Sequence, residues 1–209
     1  MTKGRFITFE GPEGSGKSTQ LRILATRLRE RGYAVVETRE PGGTAIGESI
    51  RDIMLRPEHH ALRPTAELLL MFASRAQNID EVILPALAAG KIVLCDRFTD
   101  STLAYQGMAR GLGADTVYDV DRIACRGLVP HLTLLIDIDV EIGLARAEQT
   151  RMEEQPMSFH RAVRDAYHQL ARDESKRIRL IDGARDRESV AQDLWSVVIE
   201  TFGNASIVP

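Results

Sequence analysis

The chain has 209 residues, enough for a sizeable core within one domain, and its 44% hydrophobic and 27% charged residues are ordinary for a soluble globular protein. A net charge of −3 and a pI near 6.0 leave no global basic field for nucleic acid or an anionic membrane, so local clusters must carry any phosphate binding. No stretch approaches the roughly 18 to 20 apolar residues of a membrane span, and a strand begins where a signal peptide would need its apolar region, so the expectation is a cytoplasmic protein. The two cysteines, Cys95 and Cys125, lack paired metal spacing and read as buried thiols.

The first element is an apolar strand, Phe6 to Phe9, which stops in a glycine-rich loop ending Gly16-Lys17-Ser18-Thr19. From Gly11 the loop matches G-x-x-x-x-G-K-[ST], and Leu21, Leu24 and Leu28 at helical spacing place a helix over Gln20 to Arg31. Strand, loop and helix in this order form a phosphate cradle: the glycines let successive backbone N–H groups converge on an anion, and the helix start adds its dipole. Gly11, Pro12, Glu13, Gly14, Ser15, Gly16, Lys17, Ser18 and Thr19 are therefore the candidate nucleotide-binding set. Lys17 would reach the terminal phosphates of a nucleoside triphosphate, and the Ser18 hydroxyl would hold Mg²⁺.

Ala34 to Thr38 reads as a second strand, parallel to the first because a helix intervenes. The turn Arg39-Glu40-Pro41-Gly42-Gly43-Thr44 follows, either as part of the ligand crevice at the strand's carboxyl end or as a plain connection, and leads into a helix from Ala45 to Leu55. A long helical pattern runs from Thr65 to Ala89, with Pro85 set to kink or split it. Phe72 and Arg75 share a face of it. They read either as a ring and a guanidinium gripping a nucleotide or as a core Phe beside a solvated Arg.

Lys91 to Cys95 is a third strand, apolar enough to lie in the sheet centre, with Asp96 and Arg97 at its carboxyl end. Asp96 is there a second Mg²⁺ group or one half of a structural salt bridge. Helices follow over Ser101 to Met108 and Asp115 to Arg126, then a fourth buried strand, Leu132 to Asp137, and a helix from Val140 to Glu148. Residues 146–156 lose the apolar stripe and read as a short lid carrying Arg146 and Arg151, of which Arg151, deeper in the segment, is expected to matter more to turnover. The pattern resumes with a helix over Met157 to Arg172, a fifth strand at Ile178 to Ile181, a last helix from Ser189 to Phe202, and a frayed tail from Gly203 to Pro209. Alternating strands and helices without repeats imply one α/β domain over 1–209, with three layers and a five-stranded parallel sheet covered by helices on both faces. Neither a guanine-reading Asn-Lys-x-Asp element nor a Leu-Ser-Gly-Gly-Gln signature is present, which leaves transfer to a second nucleotide as the reading that uses the remaining arginines.

Four blocks, Phe9 to Thr19, Thr38 to Thr44, Glu67 to Gln77 and Asp96 to Gln106, together resemble bacterial thymidylate kinases, in order over nearly the whole chain. The resemblance implies a P-loop fold and a magnesium-dependent transfer from ATP to dTMP, giving dTDP, in a homodimer. It places Phe72 on the thymine ring, Arg75 near base and phosphate, and Arg97 and Arg51 on the acceptor phosphate. Arg39, Glu40 and Pro41 belong to the acceptor side, Ser101 and Gln106 lie around the base, and Tyr105 crowds the position of a ribose 2′-hydroxyl. Glu13 faces the acceptor sugar and the reacting phosphates, so the catalytic set is Glu13, Lys17, Arg97, Arg146 and Arg151. Similar enzymes with a small residue at the position of Gly14 carry a longer arginine lid with a glycine and an aspartate. Here either Arg146 and Arg151 suffice, or a few residues of a mobile loop are missing. The alternatives are another nucleotide or deoxynucleoside kinase, and a regulatory P-loop ATPase; arginines at 51, 75 and 97 favour an acceptor that already bears a phosphate.

Overall fold

A computed structural model describes residues 4–147 and 150–203. Five strands, β1 (Arg5–Glu10), β2 (Val35–Arg39), β3 (Ile92–Asp96), β4 (Leu132–Asp137) and β5 (Ile178–Asp182), pair in parallel in the order β2-β3-β1-β4-β5. Strand residues alternate between two cores, with Phe6, Val93, Cys95 and Leu135 in one and Ile7, Phe9, Ile92, Leu94, Leu134 and Ile136 in the other. Both sheet faces are thus covered, which is why β1, β3 and β4 read as nearly continuous apolar runs.

The second core is closed by α1 (Lys17–Glu30) and α9 (Arg187–Phe202); Asp186 caps α9 by accepting from Glu188 and Ser189 N–H groups, so that helix begins two residues before the expected Ser189. The first core is closed by α3 (Pro64–Asn78), α4 (Leu84–Ala88), α6 (Ala114–Cys125) and α8 (Met157–Asp173). The helix α2 (Ala45–Leu55) is capped by Thr44, whose hydroxyl accepts from Gly47 N–H at 2.9 Å, and a short 3₁₀ turn, Pro57–His59, follows it. Pro85 does interrupt the long helical pattern. Proline has no N–H to donate back, and the turn before it, Ile79–Ile83, widens so that Leu84 N–H reaches Ile79 carbonyl, five residues back.

A second widened turn matters more. The short α5 (Thr99–Thr102) runs into Leu103–Ala109, where Arg110 N–H bonds the Tyr105 carbonyl at 2.8 Å. Such turns occur often at functional positions, and this one carries Tyr105 and Gln106. The helix α7 (Val140–Arg146) is described to Arg146; Glu148, residues 148–149 of the expected lid, and residues 204–209 of the expected tail lie outside the described residues. Among the described residues, Cys95 and Cys125 are buried free thiols, as expected, and no helix is long and apolar enough to cross a membrane.

Register positions the chemistry. Phe9 and Arg39 both pair with Asp96, so the loops after β1, β2 and β3 leave the sheet side by side at its carboxyl edge. That edge is where an open parallel sheet places ligands.

Candidate active site

The loop from Gly11 to Thr19 is pressed onto the elements below it. A Cβ on Gly14, whose φ is 64°, would stand 1.9 Å from the Gly143 carbonyl oxygen of α7, and one on Gly11 would stand 2.2 Å from that of Ile136, so no side chain is tolerated at either. No side chain caps the start of α1 at Gly16, which leaves its first N–H groups to an anion. Lys17 Nζ folds back onto the Gly11 carbonyl (3.0 Å), the Pro12 carbonyl (2.8 Å) and the Ser15 hydroxyl (3.2 Å). Burial, and then Arg97, bring its pKa down to about 8 against the pull of Glu13, Asp96 and Glu10.

Ser18 Oγ donates to Asp96 Oδ2 at 2.5 Å, and both residues line the cavity. Two hard oxygen donors at the mouth of a phosphate loop could hold a hard cation such as Mg²⁺. Among the described residues Asp96 makes no salt bridge, so the structural reading of this acid lacks its partner.

The cavity in front of the loop has a volume of about 600 Å³. Arg97 enters it from a left-handed backbone, φ 70°, and its guanidinium donates to Glu13 (2.8 Å), the Gly11 carbonyl (3.2 Å), the Ser101 hydroxyl (3.1 Å) and the Tyr167 hydroxyl (3.2 Å). Glu13 also accepts from the Tyr105 hydroxyl at 2.7 Å. Burial alone would raise the Glu13 pKa, but Arg97 and Lys17 outweigh it and hold the carboxyl below the usual range. Behind Arg97, buried Glu10 accepts from Phe98 N–H (2.7 Å), the Ser101 hydroxyl (2.5 Å) and the Tyr167 hydroxyl (2.9 Å), which fixes the turn that aims Arg97. Burial, and then Asp100, push the Glu10 pKa up to about 7.

Arg39 and Arg51 line the same cavity, Arg39 clamped on Glu48 and Arg51 donating to the Pro41 carbonyl at 3.0 Å. Burial, followed by the charge of Arg39, lowers the Arg51 pKa against the pull of Glu48 and Asp96. Glu40, Pro41, Ser101, Tyr105 and Gln106 complete the wall.

Phe72 and Arg75 do not line the cavity. Arg75 is fully buried, bonded to Glu40 at 2.6 Å and to the Thr102 hydroxyl at 2.9 Å, with the Phe72 and Phe98 rings 4.7 and 4.9 Å from its guanidinium carbon. Phe72 is therefore a core ring, but its neighbour is a buried cation rather than a solvated one.

The two lid arginines separate. Arg146 is exposed and lines the cavity, whereas Arg151 is buried, its guanidinium donating to the Met54 carbonyl (2.8 Å) and to Glu67 (2.5 Å). Glu67 accepts in addition from Gln106 Nε2 (2.8 Å) and from Arg110 Nε (3.3 Å) and Nη2 (3.3 Å). Burial would raise its pKa, but the hydrogen bonds from Gln106 and Arg151 and the charges of Arg110 and Arg151 bring it below the ordinary carboxylate range. Arg110 also donates to Gln155 at 2.7 Å, so residues 150–155 are tied to the acceptor wall. Gln106 Oε1 is buried and has no hydrogen-bond partner among the described residues, a state that costs about 1–3 kcal/mol.

Glu10, Glu67, Arg110 and Tyr167 were not singled out from the sequence. Gln106 and Arg110 stand four apart, a spacing that signals a shared partner. Nothing in the sequence near them identifies it as Glu67.

A phosphate loop facing the cavity-lining arginines Arg39, Arg51, Arg97 and Arg146 across a nucleotide-sized space defines a P-loop phosphotransferase of the nucleoside monophosphate kinase class. The family model for thymidylate kinase matches residues 9–194. The chain belongs to that family. It is 50% identical over 202 residues to a thymidylate kinase of Thermomicrobium roseum, covering 94% of this chain and 95% of the relative, and 47% identical over 207 residues to one of Pelobacter propionicus, covering 94% of each. The crystal structure of thymidylate kinase from Ehrlichia chaffeensis superposes with a TM-score of 0.78 at 35% identity, covering 94% of this chain and 98% of that one.

Proposed function

We propose that the chain transfers the γ-phosphoryl group of ATP to dTMP, giving dTDP for thymidine nucleotide synthesis. The observation that carries this reading is the facing of the phosphate loop and the arginines Arg39, Arg51 and Arg97 across one cavity. The N–H groups at the start of α1 hold the donor phosphates, and Lys17 swings from its neutral carbonyl partners to the transferring phosphoryl, a stronger acceptor. Ser18 and Asp96 would hold Mg²⁺, which when bound neutralises charge on the phosphate oxygens. Arg97 keeps Glu13 on Nη2 and turns Nη1, which rests on the neutral oxygens of Gly11, Ser101 and Tyr167, to the acceptor phosphate, with Arg51 beside it; Glu13 meets the acceptor sugar with its other oxygen. Tyr105 stands where a ribose 2′-hydroxyl would need room, and Ser101 and Gln106 meet the base. Phe72 and Arg75, buried beside Glu40 and Thr102, support the acceptor wall from behind.

We infer further that residues 1–209 act as one catalytic domain whose lid is 146–156, in a cytoplasmic homodimer. Family kinship supports this reading.

The test is ADP release at fixed ATP and Mg²⁺ with dTMP, dUMP, dCMP, purine monophosphates and thymidine as acceptors. dTMP should give the highest kcat/KM, with dUMP poorer by about 10- to 200-fold for the missing methyl group. Preference for a purine or cytosine nucleotide would remove the thymidylate reading and keep the kinase class; ADP release indifferent to every acceptor would point to a P-loop switch.

A further inference from the structure

We propose that Glu10 is a positioning residue that works in its neutral, protonated form: as an acid it leaves Arg97 Nη1 free to take the acceptor phosphate, and as a carboxylate it holds that nitrogen back. The inference rests on the reading above that Arg97 meets the acceptor phosphate, and it adds a dependence of acceptor affinity on one buried proton.

Behind Arg97 lies a triangle of oxygens. Ser101 Oγ stands 2.5 Å from Glu10 Oε2 and 2.8 Å from the Tyr167 hydroxyl, which is itself 2.9 Å from Glu10 Oε2. Every edge is of hydrogen-bond length and calls for one proton, since two oxygens facing each other this closely with no proton between them repel. The two hydroxyls bring two protons. The third edge is covered only when Glu10 carries a proton of its own, and one of its two contacts then runs from the acid to a hydroxyl instead of the reverse. In that state each hydroxyl gives one proton and takes one inside the triangle, and keeps a lone pair for Arg97 Nη1 at 3.1 and 3.2 Å. Glu10 Oε1 keeps the carbonyl role, accepting from Phe98 N–H at 2.7 Å and from Ser101 N–H at 3.3 Å. A neutral acid thus satisfies the whole cluster, whereas a carboxylate leaves one edge short of a proton.

The surroundings favour the same state. Glu10 is fully buried at the end of β1, and its register partner on β4, Leu135, is uncharged. Asp100 on α5, itself paired with Arg177, opposes a second negative charge nearby. Arg97 and, at the start of α1, Lys17 pull toward ionisation. Tyr167 on α8 and Cys95 on β3 stay neutral, because burial pushes both pKa values well above their ordinary range. Burial and Asp100 outweigh Arg97, which is why the Glu10 pKa rises to about 7.

The consequence is a competition for Arg97. Its Nη2 is held by Glu13 at 2.8 Å, while Nη1 rests on the Gly11 carbonyl and the two hydroxyls. While Glu10 is neutral these are neutral oxygens, and a phosphate draws Nη1 from them because hydrogen bonds to ionised acceptors are roughly twice as strong. Ionised Glu10 puts a negative charge behind Nη1 and repels the incoming phosphate as well. Bound acceptor therefore raises the Glu10 pKa above its free value, and affinity falls as pH rises through about 7 toward the bound value.

The experiment is a pH profile of dTMP phosphorylation at saturating ATP and Mg²⁺, which keeps Lys17 charged, over about pH 7 to 9. A phosphate monoester has taken its second charge by then, near about pH 6. KM for dTMP should rise about 10-fold across the range, the equivalent of about one pKa unit between free and bound enzyme, while kcat changes far less. In E10Q, whose amide has no charge to gain, KM should stay level over the same range, whatever its absolute value. A merely structural Glu10 would shift KM or kcat in E10Q equally at every pH and leave the rise in place. A wild-type KM that is flat with pH, or a rise that E10Q retains, would overturn the proposal.

Should E10Q not fold, calorimetry on the wild-type enzyme gives the answer. With Mg²⁺ and ADP in the phosphate loop, at about pH 7.5 in two buffers of different ionisation enthalpy, dTMP binding should take up protons in net. No uptake, or release, would overturn the proposal. Wild-type enzyme that does not accept dTMP would refute the thymidylate reading alone, and the same profile then tests Glu10 with the monophosphate that is accepted.

Discussion

The phosphate loop and the segment at 150–155 each hold a buried cation at the edge of the cavity, and they hold it in different ways. Lys17 is bonded to three neutral oxygens that lie two to six residues away in sequence. Arg151 is bonded to Met54 and Glu67, which lie 97 and 84 residues away. A cation on carbonyls can exchange them for a phosphate with net gain, because hydrogen bonds to ionised acceptors are roughly twice as strong as neutral ones. A cation on a buried carboxylate has no such incentive, since leaving would strand the carboxylate. One region is therefore poised for chemistry, and the other is built to shape the wall.

The sharpest way to break this contrast is Lys17→Ala. Turnover should drop by at least about 10² to 10³, the scale for one lost transition-state contact, with the circular dichroism spectrum and Tm little changed. Near-normal turnover would mean that the loop lysine is no more than a structural clasp.

The two arginines of the lid sharpen it next. Position in sequence favours Arg151 for catalysis, but the geometry favours the reverse order. Arg146→Ala should lower kcat by about 10²-fold while leaving Tm alone, since an arginine on a transferring phosphoryl is worth at least that in related chemistry. Arg151→Ala should instead cost about 1–3 kcal/mol of stability, seen in denaturant melts, because Glu67 loses one of its charged partners and keeps Arg110 and Gln106. A larger kcat loss in the Arg151 variant would show that the segment releases this residue during the cycle.

The smallest effect is a matter of pH. In the free enzyme Lys17 has a pKa lowered to about 8, so it is charged below that value and neutral above it. Since only the charged form attracts phosphate, kcat/KM for ATP should fall as pH rises through about 8, by about tenfold per further unit. At saturating ATP the bound phosphates raise the lysine pKa, and kcat should hold to higher pH. A flat kcat/KM profile up to pH 9.5 would place the lysine pKa near its ordinary value and weaken the picture of a desolvated cation.

Much of the molecule was legible because its signals are short-range. A strand buried on both faces must be apolar throughout, so β1, β3 and β4 could be read from composition, and the loop from Gly11 to Thr19 could be read from the glycines its backbone needs. The effect of Pro85 on its helix follows from one missing N–H, although the remedy, a turn widened by one residue, does not. Cys95 and Cys125 came out as buried thiols by the same local logic.

What the chain alone could not settle is where each charged side chain finds its partner. Arg75 was open to being a substrate grip or a solvated neighbour of Phe72, and the fold instead pairs it with Glu40, 35 residues away, inside the core. Arg151 and Gln106 both end on Glu67, and Arg97 is aimed by Tyr167 and Glu10, which lie on different elements. The physical reason is the same in each case. Secondary structure depends on periodicity and backbone sterics within a few residues, whereas burying a charge depends on an opposite charge that only packing brings near. So the sequence by itself determined the α/β framework, the phosphate loop and the family, and the tertiary structure decided which arginines remain available to substrate and which are spent on holding the wall in place.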